Sequence, residues 1–260
     1  MSIVIITRPS VQAGALENAA RARGFDTFVF PAIAIGPVDD AEPLCTALGR
    51  LDRFRLVIFV SPNAIEHALA CMNAPWPDNL PLAVMGPGSR DALARSGIAP
   101  PRYEVICPGH HGNDKQTRFD SESLFAELDL ARLGPGPVLL IKGNGGRPWL
   151  ARRLEAEGIE VQGVESYKRT LPVPGRALLE KMRVLYENQQ AAQVVVTSSE
   201  GLANLVTLLE GEGGERAAGW LRAQRLIVPH QRIAENATGR GFTNVVLSRA
   251  GDSNIVRALE

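Results

Sequence analysis

Six short segments end an apolar run with small polar residues, glycine or a cation, and then enter a helical pattern. They contain Arg8 between Thr7 and Pro9; Ser61 and Asn63 around Pro62; Gly86 and Ser89 in "GPGS"; Lys142, Gly143 and Arg147 in "KGNGGR"; Ser198 and Ser199; and His230 before Gln231. Where parallel strands end and helices begin, unpaired backbone N–H groups and positive helix termini point the same way, so such a set suits an anionic ligand better than a metal. Arg8, Lys142 and Arg147 stand where a helix start would favour carboxylates instead. An anion explains them; a surface ion pair with a nearby glutamate explains Arg8 and Arg147 equally well. Ser61, Asn63, Ser89, Ser198 and Ser199 each read first as a helix N-cap, and only as a set do they suggest a binding face. Tyr167 lies on an apolar run between Ser166 and Lys168, and strict alternation places it on the face opposite both. On pattern alone it is a packing residue with its hydroxyl at water.

Several familiar sites are excluded. "TRPSVQAG" after the first apolar run is no GxGxxG, and "GNGGRP" lacks the Lys-Ser or Lys-Thr pair of a phosphate loop. His110 and His111 stand in a polar loop without a carboxylate or cysteine at ligand spacing, and read as solvated surface. Nothing matches GxSxG or a paired Cys and His nucleophile. The expectation is chemistry with no cofactor and no metal.

The elements that must position these turns recur. "IVIITRP", an Ala-rich helix stopped by Gly24 and the run from Asp26 are echoed by "VLLIKGNGGRP", a helix stopped by Gly158 and "IEVQGVESY". "LVIFVSPNAIEHAL" is echoed by "QVVVTSSEGLANLV", and "PLAVMGPGSRDALARSG" by "RLIVPHQRIAENATGRG". Thr7 thus matches Lys142, Ser61 matches Ser198, and Gly97 matches Gly241, with a separation that drifts slowly, as duplication followed by loop insertion would leave it. Each block is a strand, a turn and a helix, so the fold class predicted is α/β, with parallel sheets covered by helices on both faces. Two runs, "DTFVFPAIAIGP" and "VQGVESYKRTLPVP", read as overlong strands.

The 260 residues suffice for two cores, and 45% hydrophobic with 22% charged residues is ordinary for a globular protein. With 28 basic against 28 acidic residues there is no overall field to draw nucleic acid or an anionic membrane, so an anionic ligand must be held locally. The odd cysteine count (Cys45, Cys71, Cys107) predicts reduced thiols, with Cys71 in the core. The N-terminus enters a strand at once and no apolar run reaches membrane-span length; the reading is a cytoplasmic protein.

The ordered motifs "IVIITRP", "FPAIAI", "LVIFVSPNAI", "AVMGPGSRDAL", "FDSESLFAEL", "VLLIKGNGGRPWLARRLEAEGIEV", "VESYKR", "VVVTSSEGLANL" and "LIVPHQRIAENATGRGF" resemble the uroporphyrinogen-III synthase family over nearly the whole chain. The resemblance implies two similar α/β lobes joined by two linker strands, near 31–38 and 165–172, with the active site in the cleft between them. One lobe would hold 1–36 and 171–260, the other 38–166. The implied reaction cyclises hydroxymethylbilane, inverting its terminal ring through a spiro intermediate and losing water, to give uroporphyrinogen III. Tyr167 matches the family tyrosine held to assist the departing hydroxyl. His230, Gln231 and Arg232 depart from the Gly and Thr of many relatives, Ser89 stands for a common Thr, and the polar insert 108–118 has no assigned role. The implied partner is the small-molecule substrate, with transient contact to the preceding deaminase, no nucleic acid, no membrane and a monomeric chain. Two alternatives fit paired α/β lobes: a nucleotide-sugar transferase, which would want a nucleotide site in the C-terminal lobe, and a two-lobed small-molecule binding protein, which would want an export signal.

Overall fold

The structure, a computed structural model, describes residues 3–109 and 120–260; His110, His111 and the rest of the polar insert up to 118 lie outside the described residues. In chain order the elements are β1 (Ile3–Ile6), α1 (Ser10–Arg21), β2 (Thr27–Val29), β3 (Ala34–Gly36), α2 (Glu42–Leu48), β4 (Leu56–Phe59), α3 (Pro62–Ala70), β5 (Leu82–Val84), α4 (Pro87–Arg95), β6 (Val105–Ile106), α5 (Ser121–Glu127), β7 (Val138–Gly143) and α6 (Trp149–Ala156). There follow β8 (Val161–Thr170), α7 (Arg176–Glu187), β9 (Ala192–Val195), α8 (Ser199–Ala223), β10 (Arg225–Val228), α9 (Gln231–Gly239), β11 (Val245–Leu247) and α10 (Asp252–Leu259). Helix α8 is two helices joined at Gly213 and Gly214, the latter at φ 58°.

The strands form two sheets, ordered β11-β10-β9-β1-β2 and β3-β8-β7-β4-β5-β6. Pairing is parallel throughout the first sheet and from β8 to β6 in the second. The first sequence block therefore joins the echoes of the second and third in one sheet, and its own echo joins the original second and third in the other. Read from β2 and from β8, the two sheets have the same order.

Two-residue alternation sorts each strand between two cores. Ile3 and Ile5 face one cluster with residues of α7, α8 and α9, while Val4 and Ile6 face another with α1 and α10. In the second sheet Val57, Phe59, Leu139 and Ile141 pack with α2, α3 and α4, and Leu56, Ile58, Val138 and Leu140 pack with α5 and α6. Sheets apolar on both sides need helices on both sides, which is why the blocks read as continuous rather than alternating hydrophobic runs. Gly24 and Gly158 stop α1 and α6 at φ 82° and 78°, a left-handed turn that a side chain resists.

The run from Asp26 is not one overlong strand. It supplies β2 to one sheet and β3 to the other, because Pro31 has no N–H with which to extend the ladder. Residues between them stay tied to the end of β1 through Phe30 N–H to Ile6 O (2.9 Å) and Ala32 N–H to Thr7 O (3.0 Å). Strand β8, by contrast, runs unbroken for 10 residues. Cys71 is half-buried at the end of α3 and Cys107 is the buried thiol. Burial pushes both thiols up, with Cys45 adding to the effect at Cys71 through a side-chain hydrogen bond, so neither favours the reactive thiolate. Among the described residues no helix is long and apolar enough to cross a membrane.

The chain divides into two compact units: Met1–Ala34 with Thr170–Glu260, and Ile35–Arg169. The second unit owns a complete sheet with a helix-covered core on each face. Expressed alone, residues 35–169 are expected to show a single cooperative thermal transition; a fragment that melts without cooperativity would show that this sheet needs the rest of the chain.

Candidate active site

The pairing of β7 with β8 is regular from Val138↔Val161 to Lys142↔Glu165 and then shifts, so that Gly143 faces Tyr167 and Ser166 is the extra residue. A bulge of this kind re-aims the side chains beyond it. Val164 and Tyr167, three positions apart, consequently face the same core, which strict alternation would forbid. Ser166 is buried too, its hydroxyl donating to Lys142 O at 3.3 Å. The alternation expected from the sequence therefore fails at this point.

Tyr167 is only 1% exposed. Its ring lies directly on the backbone of Gly143: a Cβ there would sit 2.5 Å from Tyr167 Cζ. His67, on α3, stacks with it at 5.9 Å between ring centroids and 27° between planes. The phenol oxygen accepts from Ser61 Oγ at 3.1 Å and from Arg169 Nη2 at 3.0 Å, and the Arg169 guanidinium lies 5.6 Å from the ring centroid. Ser61 Oγ in turn accepts from Ala64 N–H at 3.2 Å, capping α3. Asn144 clamps the same corner, its N–H donating to Tyr167 O (3.0 Å) and its Oδ1 accepting from Arg169 N–H (2.7 Å).

This corner has a topological meaning. From β7 the chain turns one way, through α6 to β8, while β4, β5 and β6 lie on the other side. Ligands of open parallel sheets bind at the carboxyl ends of the two strands flanking such a switch, here β7 with Lys142 and Gly143, and β4 followed by Ser61. The first unit has the same switch between β1 and β9, but its occupants differ. By the block correspondence Ser198 matches Ser61, Asn204 matches His67, Arg8 matches Gly143 and Ala32 matches Tyr167. Asn204 Nδ2 donates to Ala32 O at 2.9 Å, so an amide and a carbonyl meet where the second unit stacks two rings.

The structure brings together Tyr167, Ser61 and Gly143 of the residues singled out from sequence. Ser61 and Ser198 are N-caps, Ser198 Oγ accepting from Gly201 N–H at 3.0 Å. Asn63, Ser89 and Ser199 are not caps: they lie inside the first turns of α3, α4 and α8, because Ser61, Gly86 and Ser198 hold the cap positions. Asn63 and Ser89 are buried. Ser199 Oγ is buried and has no hydrogen-bond partner among the described residues. His230 precedes α9 without a side-chain cap and is exposed. The three cations are paired: Arg8 with Asp252 (2.7 Å), Arg147 with Glu122 (3.2 Å) and Lys142 with Glu165 (3.9 Å). Among the described residues no group of three metal-binding side chains comes together.

His67, Asn144 and Arg169 escaped the sequence reading. Arg169 follows Tyr167 by two and would have emerged had the same-face neighbour of a strand tyrosine been considered. His67, six residues beyond Ser61, carries no sequence signal beyond its place on a helix.

The two sheets, the shared strand order and the aromatic corner at one switch define a duplicated, doubly wound α/β protein with an enzyme-like site. A family model described as Uroporphyrinogen-III synthase HemD matches residues 14–256, and the chain belongs to that family. It is 29% identical over 261 residues to the uroporphyrinogen-III synthase of Escherichia coli K12 and 30% identical over 260 residues to that of Salmonella typhimurium LT2, covering 99% of each chain in both cases. Among solved structures it is similar in fold to a uroporphyrinogen-III synthetase from Helicobacter pylori 26695 (TM-score 0.60, 13% identity, 100% of this chain and 98% of that one). A mutant uroporphyrinogen III synthase from Thermus thermophilus is likewise similar (TM-score 0.56, 15% identity, 100% and 99%).

Because the Tyr167 ring fills the space of a side chain at position 143, Gly143→Ala is expected to destabilise the protein by about 1–3 kcal/mol through overpacking. Thermal unfolding together with the near-ultraviolet tyrosine signal measures this; an unchanged melting temperature and signal would mean that the ring does not rest on this backbone.

Proposed function

We propose that the chain cyclises hydroxymethylbilane to uroporphyrinogen III, with Tyr167 as the proton donor to the departing hydroxyl. The observation that carries this reading is a phenol held by two donors at the switch point of the second unit's sheet. Loss of the hydroxyl is driven by the pyrrole nitrogen, and unaided closure gives the uninverted isomer. Catalysis then consists mainly of holding the bilane in the inverted geometry, a positioning effect able to supply about 7–11 kcal/mol.

The substrate's acetate and propionate groups suit the helix starts that follow β1, β4, β5, β7, β9 and β10. Arg8, Ser61, Asn63, Gly86, Ser89, Lys142, Gly143, Arg147, Ser198, Ser199 and His230 are the residues proposed to receive them. With three free cysteines the chain suits a reducing compartment, and the proposed setting is the cytoplasm. A monomer that meets the preceding deaminase only in passing completes the proposal.

Tyr167→Phe is expected to slow turnover roughly 100-fold to 10,000-fold and to shift product toward the type I isomer. The substitution also strips an acceptor from Ser61 and Arg169, so a stability loss of about 0.5–1.5 kcal/mol should accompany it. Full type III activity in the Phe variant would remove Tyr167 from the chemistry. Dialysis against EDTA is expected to leave type III formation unchanged; loss of activity restored by zinc or magnesium would overturn the cofactor-free reading.

A further inference from the structure

The hydroxyl of Tyr167 sits between a guanidinium and a serine hydroxyl that both donate to its oxygen. A guanidinium can only donate, so the 3.0 Å bond from Arg169 makes the phenol oxygen an acceptor. Ser61 Oγ accepts from Ala64 N–H with one of its two lone pairs and gives its own hydrogen to the same phenol oxygen. Both acceptor positions of the phenol are thus filled, and among the described residues no bond takes the phenolic proton.

We propose that Arg169 is a positioning residue for the reaction: it holds Tyr167 with its oxygen turned inward as an acceptor and its proton turned out for the departing hydroxyl. This rests on the proposed role of Tyr167 and extends it. When the bond between the hydroxymethyl carbon and its oxygen breaks, the electron pair stays on oxygen, which takes the phenolic proton and leaves as water. The phenolate left behind already has two donors pointed at it, one of them cationic, so little has to reorganise as the charge appears. The proton that the terminal pyrrole releases on ring closure restores the phenol.

The corner is built so that Arg169 can do this without drifting. Its backbone N–H is bonded to Asn144 Oδ1 at 2.7 Å, and the Asn144 N–H is bonded to Tyr167 O at 3.0 Å, so one residue fixes the strand on both sides of Lys168. Lys168 points elsewhere, to Asp39. Stacking by His67 limits rotation of the ring. In the first unit, where Ala32 replaces the tyrosine, the matching chain position is Ala34, and neither half of the pair is present.

A double-mutant cycle tests the proposal. Arg169→Gln should lower kcat by about tenfold or more while moving KM less than about threefold, and should raise the share of type I product. Arg169→Lys, which keeps a donor, should recover part of the loss. In a Tyr167→Phe background Arg169→Gln should change kcat by less than about twofold, since both residues act through one hydroxyl. A loss in that background as large as in the native one would mean that Arg169 acts on the substrate itself, and the proposal falls. It falls equally if Arg169→Gln leaves kcat and product ratio unchanged. The tyrosine Raman doublet, taken as the difference between the native protein and Tyr167→Phe, provides a readout without turnover. An intensity ratio typical of an accepting phenol, lost in Arg169→Gln, supports the positioning role even if the native protein makes no type III product, an outcome that would sink the proposed function instead. A donor-type ratio in the native protein overturns the positioning role.

Discussion

A phenol ring resting on bare backbone is the constraint from which the rest of the site follows. With any side chain at position 143 the ring of Tyr167 would have to shift, since even a Cβ would come within 2.5 Å of it. The ring reaches that spot because Ser166 is an extra residue in β8, and the Ser166 hydroxyl and the Asn144 amide bond into the irregular ladder there. Once the ring is there, its hydroxyl falls beside the start of α3, where Ser61 is already committed as a cap. A strand irregularity, a glycine and a helix cap are separate local features. Here they meet at one phenol ring.

Duplication supplied two such corners, and the differences between them are reciprocal. In the second unit a large residue, Tyr167, faces Gly143; at the matching place in the first unit a small one, Ala32, goes with Arg8. The Arg8 side chain turns to Asp252 instead of making room for a ring. The helix residues follow the same logic: His67 offers a flat face to an aromatic neighbour, whereas Asn204 offers a donor to the Ala32 carbonyl. Two copies of one architecture thus present chemically different edges.

Most of the architecture was legible in the sequence because it rests on periodicities. Apolar runs followed by Ser, Gly or Pro and closed by Gly24, Gly97, Gly158 and Gly241 mark β-strand and helix pairs, and their repetition marks two sheets. What did not show was everything set by tertiary register. Pro31 splits one apparent strand between two sheets; the proline in "FVFPAIAI" marks the break, but nothing there says that the second piece joins the other sheet. The bulge at Ser166 defeats alternation for the residue that matters most, since "VESYKR" obeys the pattern equally well with or without it. Helix caps were misread one to three positions late at Asn63, Ser89 and Ser199, because a run such as "SPN", "GPGS" or "SSE" offers more candidate caps than a helix can use. His67 was invisible as a site residue for the same reason, since a histidine on a helix acquires meaning only through what it touches; Arg169 is marked in the sequence only by its spacing of two from Tyr167.

The cations at the strand ends obey a different logic, because each has a carboxylate partner. Exposed ion pairs are worth about 0–1 kcal/mol, and the Arg147–Glu122 and Lys142–Glu165 pairs are of that kind, with side chains between 36% and 62% exposed. Arg8 and Asp252 are better shielded, at 18% and 32%, and their 2.7 Å separation is that of a firm hydrogen bond. A ligand carboxylate competing for Lys142 or Arg147 therefore displaces little, while one competing for Arg8 must displace more. The exposed pairs at the end of β7 thus cost little to break, and the Arg8–Asp252 pair costs more.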